Sequence, residues 1–422
     1  MHAGYAQTEI TPEPGEELTG YGYYLNRRAV GSLDPLRVRA LAMEEAGERA
    51  VIVQLDLLGL AREYVAAVRA AVRNATGLPP HHLLLHCTHT HSGPGSLHVE
   101  GCGLPSEHFL GCLAKSIVQV VSAALNDLKP LTVAQRFDTD WPAGFAYNRV
   151  GAGDLDTRVR GLRFVPEGAA PIVVLSYACH PVTLGRNREY SADYCGTVLQ
   201  EFGAYGIRGL YLNGCCGDID PLSNTCRWGG GTRETLLIYG RDLASIARQG
   251  MADAVTWHTG RLQADSRLIP LEVQPTSEDE LRRSLEALQR RLQTEPDNGP
   301  LRVDVRWHKR MIRAHQRDTL QDIAAAEIQV IGCGDVAFVG MSAEAFTVLG
   351  AGVRAGAPGH HLMIAATSNG VVGYLGTEAD ARQQGYASHA ASKIYGMPLL
   401  QPDAGERWAA AGAELVRGVT GG

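Results

Sequence analysis

Short apolar runs of strand length alternate with helical stretches through the first half of this 422-residue chain. The strand-like runs are residues 50–58, 83–87, 172–179 and 209–212, and the helical stretches lie near residues 62–75 and 107–128. Alternation of this kind predicts an α/β fold, in which a mixed β-sheet core with some parallel pairing is flanked by helices.

A segment of different character occupies about residues 277–317. It opens with Ser277-Glu278-Asp279-Glu280, which is typical of a capping box, and residues 296–300 break two charge-rich helical stretches. We expect a mostly solvated helical hairpin here. Because apolar runs resume at 327–330, 336–339 and 362–366, the pattern predicts one domain over residues 1–422 with this hairpin inserted.

Bulk composition is that of an ordinary soluble protein, with 45% hydrophobic residues, 20% charged residues and a formal net charge of -6. It gives no reason to expect a nucleic-acid partner. The first ten residues lack the basic and apolar regions of a signal peptide, and we find no long apolar run, so we expect a cytoplasmic protein without a transmembrane segment. Nine cysteines without a CxxC pair predict reduced, mostly buried thiols.

Two histidines follow the apolar run 83–87, within Thr88-His89-Thr90-His91-Ser92-Gly93-Pro94-Gly95. Residues two apart in a strand share a face, so His89 and His91 can point into one cavity. Neutral imidazole there can bind a metal or transfer protons. The structural alternative is that both rings are hydrogen-bonded within the core or a loop and have no function. The spacing alone leaves this alternative open.

Three other predicted strands also end in potential ligands. His180 follows the run 172–179, Glu344 follows 336–339, and Tyr374 and Tyr386 follow 362–366. Each of these residues has a structural alternative. His180 could cap a strand, Glu344 could be a charge at a helix N-terminus that the helix dipole stabilises, and the tyrosines could lie on the surface. Together, two histidines and a carboxylate are the usual protein ligands of a catalytic zinc site, which suggests convergence at the strand ends.

These segments resemble the catalytic domain of the neutral/alkaline (non-lysosomal) ceramidases, enzymes of lipid metabolism. The resemblance is carried by the run 88–95, by His180, by Met341-Ser342-Ala343-Glu344 and by the pair Gly373-Tyr374 and Gln384-Gly385-Tyr386. It extends in order from residues 6–11 to Tyr386. The chain is similar to a short form of that family, without its C-terminal immunoglobulin-like domain.

The resemblance implies a mononuclear zinc (Zn2+) amidase. By position, the zinc ligands would be His89, His180, Glu344 and Tyr374. The residues assisting catalysis would be His91, Tyr386 and Arg149, although Arg149 is followed by Val150 where the family usually has serine.

One departure from the family concerns Gly217-Asp218-Ile219-Asp220-Pro221, where Asp220 stands in place of a serine. A serine nucleophile is therefore absent at this position, which favours attack by metal-activated water. Asp220 either holds its loop or faces the ligand. Asp56 and Asp193 are candidates for orienting metal-bound imidazoles, with ordinary turn or surface roles as the alternative.

The resulting prediction is a zinc-dependent hydrolase that cleaves the amide bond of an N-acyl compound more soluble than ceramide. His91 would transfer protons, and Tyr386 with Arg149 would stabilise the oxyanion. A zinc-dependent esterase or lactonase is the enzymatic alternative, because the same groups suit any acyl transfer. A non-catalytic, metal-stabilised binding protein is the alternative of another class. The sequence leaves the oligomeric state open.

Overall fold

The computed structural model describes residues 1–151 and 153–421. The strands are β1 (His2–Glu9), β2 (Gly31–Ser32), β3 (Arg37–Glu45), β4 (Glu48–Leu55), β5 (Leu83–Cys87), β6 (Lys129–Asp140), β7 (Ala146–Asn148), β8 (Arg158–Pro166), β9 (Ile172–Tyr177), β10 (Glu189–Tyr190), β11 (Arg208–Asn213), β12 (Ile219–Pro221), β13 (Val255–Thr256), β14 (Leu262–Pro270), β15 (Ala325–Cys333), β16 (Val336–Met341), β17 (Glu344–Ala345), β18 (His361–Ala365) and β19 (Tyr374–Leu375).

The helices are α1 (Arg62–Thr76), α2 (Glu107–Asn126), α3 (Asp193–Ala204), α4 (Arg233–Ala252), α5 (Glu278–Thr294), α6 (Gly299–Gln316), α7 (Leu320–Ile323), α8 (Thr347–Ala355), α9 (Glu378–Arg382), α10 (Ser392–Tyr395) and α11 (Ala404–Thr420). A π-helical turn, Tyr386–Ala391, leads directly into α10.

The larger sheet has the strand order β11-β9-β8-β6-β1-β3-β4-β5, and β13 pairs with β6 outside this path. Pairing is parallel at both ends, between β9 and β11 and between β4 and β5, and antiparallel in between. The predicted α/β class with a mixed sheet is therefore confirmed.

A second sheet, β14-β15-β16-β18, packs face to face against the first. Along β16 the side chains alternate between two hydrophobic clusters, as strand geometry requires. Val336 and Phe338 face the first sheet, whereas Ala337 and Val339 face α8 and α11. The late strands thus form their own sheet and share a core with the early ones, and helices cover the outer faces of both sheets.

Helix α2 is long and apolar enough to cross a membrane, judged by length and composition alone. The helix predicted near residues 107–128 is confirmed, but its apolar length was not part of that prediction. Its apolar residues, including Phe109, Leu113 and Ile117, pack into the cluster that covers the outer face of β3 and β4. This is the packing of a core helix, and the absence of a transmembrane segment remains a prediction.

Helices α5 and α6 lie between the neighbouring antiparallel strands β14 and β15. Helix α5 is largely exposed and buries Leu281, but α6 departs from the expected solvated hairpin because one of its faces is buried. The Trp307 indole in α6 donates a 2.6 Å hydrogen bond to the carbonyl of Met397. This contact seats the hairpin against the segment after α10.

The nine cysteines all lie within the described ranges and are unpaired, with only Cys112 and Cys226 exposed. Burial raises the pKa of the others for which a shift is found, Cys179 and Cys216 among them. Buried thiols of this kind are poor nucleophiles, and their burial agrees with the reduced, mostly buried thiols that the sequence predicts.

Candidate metal centre and active site

The turn after β5 brings His89 and His91 together. The strand ends at Cys87, and His89 has a left-handed backbone with φ of 72°. The two histidines therefore lie in a turn, and not on one face of a strand as was expected. The two rings nevertheless lie 4.9 Å apart, edge to face. A residue without glycine's freedom is strained in this conformation, and such strain is typical of functional sites.

Each imidazole donates its Nδ1–H to a backbone carbonyl, because a carbonyl oxygen can only accept. His89 donates to Leu58 at 2.7 Å and His180 donates to Cys216 at 2.6 Å. His91 donates to Gly20 at 2.8 Å. All three rings therefore present an Nε2 lone pair to the centre, which is the arrangement in which histidine binds metals.

Gly20 is required by the contact with His91. Its φ is +98°, and a Cβ added there would lie 2.5 Å from His91 Nδ1. A side chain at this position would push the ring out of place. The imidazole orientation is thus built into the backbone of the loop before β2.

The carboxylate of Glu344 faces two of these lone pairs. Its Oε2 lies 3.1 Å from Nε2 of His89 and 3.0 Å from Nε2 of His180, and the side chain is buried. A lone pair that faces a carboxylate is repulsive unless a proton or a metal cation lies between them. The donor set therefore suits a metal cation.

The imidazoles of His89, His91 and His180 offer ligand atoms that all lie within 4.8 Å of one another. The Nε2 atoms of His89 and His91 are buried without a hydrogen-bond partner. Buried polar atoms are normally satisfied, so these orphaned atoms mark where a ligand is needed. The residues present thus fit a bound metal.

Tyr374 lies beside Glu344 because β19 pairs in parallel with β17, in a register that joins these two residues. Its hydroxyl lies 3.2 Å from Nε2 of His180 and accepts a 3.0 Å hydrogen bond from Nη2 of Arg149. The same Arg149 nitrogen donates to the carbonyl of Gly217 at 2.8 Å. Arg149 is therefore a fixed cation at the edge of the centre.

Tyr386 is the outermost of the predicted site residues. Its ring centroid lies 5.7 Å from that of Tyr374, the Arg149 guanidinium lies 5.8 Å from it, and the side chain is about half exposed. The structure thus gathers all seven sequence-predicted residues around one centre: His89, His91, Arg149, His180, Glu344, Tyr374 and Tyr386. Their individual roles remain predictions.

Sequence reasoning missed Tyr395. Its hydroxyl donates a 2.5 Å hydrogen bond to Oε1 of Glu344, the oxygen that does not face the histidines. Hydrogen bonds of this kind orient a ligating carboxylate. The only signal in the sequence was the aromatic residue at the end of α10, 51 positions from Glu344.

Asp220 holds a loop at the rim. Its Oδ2 accepts hydrogen bonds from the Trp228 indole at 3.0 Å and the Asn224 amide at 3.2 Å. Trp228 in turn packs edge to face on Tyr21, with centroids 4.6 Å apart. Oδ1 lies 3.7 Å from Nη1 of Arg149, so the aspartate also faces the site's cation.

Asp56 and Asp193 do not orient the histidines. Asp56 accepts from Arg39, and Asp193 accepts from the backbone amides of Thr183 and Tyr194. Backbone carbonyls take the place that these carboxylates were expected to fill. Of the two roles left open for these aspartates, the structure excludes the orienting one. The carbonyl partners that take this role leave no signature in the sequence.

Electrostatics at the centre follow from its burial. Burial, with help from the neighbouring His89 and His180, lowers the pKa of His91 well below its ordinary value, which keeps this ring neutral. Burial would raise the pKa of Glu344, but a proton on Nε2 of His89 or His180 outweighs burial and lowers this pKa well below its ordinary value, and a metal cation at the same place would act in the same direction. Burial, reinforced by Glu344, raises the pKa of Tyr374 well above its ordinary value.

Two solved structures share the fold of this chain. Neutral ceramidase from Pseudomonas aeruginosa superposes with a TM-score of 0.76 over 98% of this chain and 73% of that chain, at 17% sequence identity. A ceramidase complexed with C2 superposes with a TM-score of 0.74 over 98% and 74%, at 18% identity. No protein-family model and no curated protein sequence matches the chain. The predicted resemblance is therefore confirmed at the level of the fold.

Proposed function

We propose that this protein is a zinc-dependent amidase that hydrolyses an N-acyl compound. The observation that carries the proposal is the cluster of three Nε2 atoms, two of them without a hydrogen-bond partner. The buried carboxylate of Glu344 faces the Nε2 atoms of His89 and His180. The ceramidase-like fold supports amide hydrolysis as the reaction class.

His89, His180, Glu344 and Tyr374 would hold the metal, and His91 would stay beside it. When bound, zinc would supply a Lewis acid that makes water a nucleophile near neutral pH and polarises an acyl oxygen. Tyr395 would hold Glu344 in place through its hydrogen bond to Oε1. The backbone carbonyls of Leu58 and Cys216 would fix the two imidazoles.

His91 is suited to moving the proton. Its Nδ1–H is committed to the carbonyl of Gly20, so only Nε2 can accept a proton from the attacking water and return it to the leaving amine. An amide needs this second transfer because an amine is a poor leaving group. Arg149 and Tyr386 would stabilise the negative charge that develops on the acyl oxygen.

A panel of N-acyl amides, from short N-acyl amino acids to ceramide, tests the proposal when it is assayed with and without a chelator. We expect turnover that the chelator removes and zinc restores, with better turnover of the more soluble amides. Turnover insensitive to chelation, or no turnover of any amide by zinc-loaded protein, would contradict the proposal.

His91→Ala tests amide cleavage against ester cleavage. This variant should lose amide turnover but retain turnover of an activated ester, whose leaving group needs no proton. Equal losses on both substrates would contradict the proton-transfer role. Zinc content is the control, since loss of zinc from His91→Ala would make His91 a ligand instead.

A cytoplasmic location stays a prediction that localisation of the protein in its native cell would test.

A further inference from the structure

A stripe of cations runs along the exposed face of α6. Arg306, Lys309, Arg310 and Arg313 of α6 and Arg317 at its C-cap are all exposed. Their spacing of three and four residues places them on one side of the helix. The opposite face of α6 is buried. The chain as a whole carries a net charge of -6, so this stripe is a local reversal of its charge.

These five side chains line a groove of about 690 Å³. Its other walls come from the segment around His98 and from the end of α10, where Lys393 adds a sixth cation. Trp307, Ile323 and Ile394 contribute apolar surface. This volume is in the range of small-molecule sites, which are concave and partly apolar.

Counter-charges within the groove are few. Glu100 is the one carboxylate among the described residues that line it, and it lies 3.3 Å from Arg306. Lys393 pairs with Asp304 at 2.7 Å. Across residues 1–151 and 153–421, the remaining four cations of the stripe have no ion-pair partner: Lys309, Arg310, Arg313 and Arg317.

Like charges at these helical spacings repel one another and destabilise the helix. A multivalent anion in the groove would remove that repulsion. The guanidinium group binds oxyanions through two parallel N–H donors, and one fork is enough for a planar carboxylate. A phosphate presents three terminal oxygens, so neighbouring forks on one helix face can share it.

We propose that the α6 groove binds phosphate groups, at a site separate from the metal centre. The ligand is either a soluble organic phosphate or the headgroup of a phospholipid, since both present the same oxygens. The groove and the centre are distinct, because the residues that line the groove include neither the seven predicted site residues nor Tyr395, whose hydroxyl contacts Glu344. Binding at this site does not depend on the proposed hydrolase activity.

Calorimetric titration of the full chain with inorganic pyrophosphate, and co-sedimentation with phosphatidylcholine vesicles that contain phosphatidylglycerol, test the two sources. The variant Lys309→Glu/Arg313→Glu reverses two unpaired cations of the groove. We expect it to weaken binding by on the order of tenfold or more, because hydrogen bonds between charged groups are stronger than those between neutral groups. Thermal unfolding checks that the variant is folded.

Arg283→Glu/Arg290→Glu is the matched control, because both residues are exposed on α5, outside the groove, and the charge change is the same. The control should bind like the wild type. Binding of pyrophosphate alone identifies a soluble phosphate, and binding of the vesicles alone identifies a headgroup. The proposal is overturned if neither probe binds, if the control weakens binding as much, or if citrate binds as tightly as pyrophosphate.

Discussion

Two buried polar clusters of this molecule differ in how completely their atoms are paired. In the first, Arg69 of α1 donates to both oxygens of Glu327 and to Gln329 of β15. Asn369 donates to the same glutamine oxygen, and its own oxygen accepts from the amide of Leu85. Every polar atom of this cluster that is described above has a partner.

The metal centre is built in the opposite way. Its imidazole Nδ1 atoms are held by backbone carbonyls, but Nε2 of His89 and of His91 is buried without a hydrogen-bond partner, and so is Oδ1 of Asp220. Unpaired buried atoms cost stability and persist where function needs them. The paired cluster therefore indicates a structural role, and the unpaired one indicates chemistry.

The substitution Glu344→Gln should change zinc content and turnover more than any other substitution considered below. The amide keeps the shape of the side chain but removes the negative charge that faces His89 and His180. We expect loss of bound zinc and a fall in amide turnover on the order of 10³-fold or more, because metal catalysis supplies several kcal/mol. Metal analysis and initial rates measure both. Undiminished zinc with unchanged turnover would contradict the functional role inferred for the unpaired cluster.

In the paired cluster, Arg69→Met should lower the free energy of unfolding and leave turnover unchanged. It removes the only cation that pairs with Glu327 among the described residues, and removing one partner of a buried ion pair costs about 3–5 kcal/mol of the free energy of unfolding. Turnover per folded molecule should stay at the wild-type level. Urea unfolding and active-site titration measure these quantities. Arg69→Met/Glu327→Met, which removes both charges, should recover part of the loss.

Arg149→Met probes a donor at the rim of the centre. It should lower kcat on the order of 10²-fold, the usual cost of one oxyanion donor, while zinc stays bound. Steady-state kinetics with parallel metal analysis check this. If zinc is lost as well, Arg149 acts by holding Tyr374, to which it donates, and not by stabilising charge on the substrate.

His86 is a buried histidine outside the metal centre whose ring nitrogens both have partners. It should make the free energy of unfolding depend on pH. His86 Nδ1 donates to the carbonyl of Ala366 and Nε2 accepts from the amide of Asn213, and burial lowers its pKa to about 3. The unfolded chain therefore binds a proton near pH 6.5 that the folded chain does not. Stability should fall as the pH falls from 6.5 towards 3, by up to about 1.4 kcal/mol per pH unit from this residue.

His86→Gln should remove that part of the slope when the free energy of unfolding is measured across this pH range. His98→Gln is the control, because His98 is about half exposed. A slope that His86→Gln leaves unchanged would contradict the assignment of a neutral, fully paired ring to this histidine.

The smallest expected effect concerns Asp220→Ser, which removes the anchor of the Trp228 indole. We expect KM to rise about fivefold, the equivalent of about 1 kcal/mol for one hydrogen bond, with kcat nearly unchanged. Tryptophan fluorescence should report the released side chain. A fall in kcat with unchanged KM would instead place Asp220 in the chemical step.

Much of the fold could be predicted because the parallel strands at the sheet ends are continuous apolar runs. The predicted strand 83–87 matches β5, and the helix predicted near 62–75 matches α1. The long antiparallel strands β6 and β8 were missed, since they carry polar and half-exposed residues that do not form an apolar run. Their pairing depends on neighbours that are distant in sequence.

The candidate site was predictable where chemistry resides in side chains of distinctive type, as for His180 and Glu344. It was not predictable where backbone supplies the contact. The carbonyls of Gly20 and Leu58 fix two imidazoles, and any residue could carry them. Tyr395 was missed for a related reason, because only the packing of α10 brings its hydroxyl to Glu344.

We propose that the unpaired Nε2 atoms of His89 and His91 belong to a zinc site that performs hydrolysis. The most direct test is the zinc stoichiometry of wild-type protein and of His89→Ala, measured on the same samples as amide turnover. We expect one zinc ion per wild-type chain, lost together with turnover in His89→Ala and on chelation. Wild-type protein that hydrolyses amides without stoichiometric metal, or His89→Ala that keeps both zinc and turnover, would contradict it.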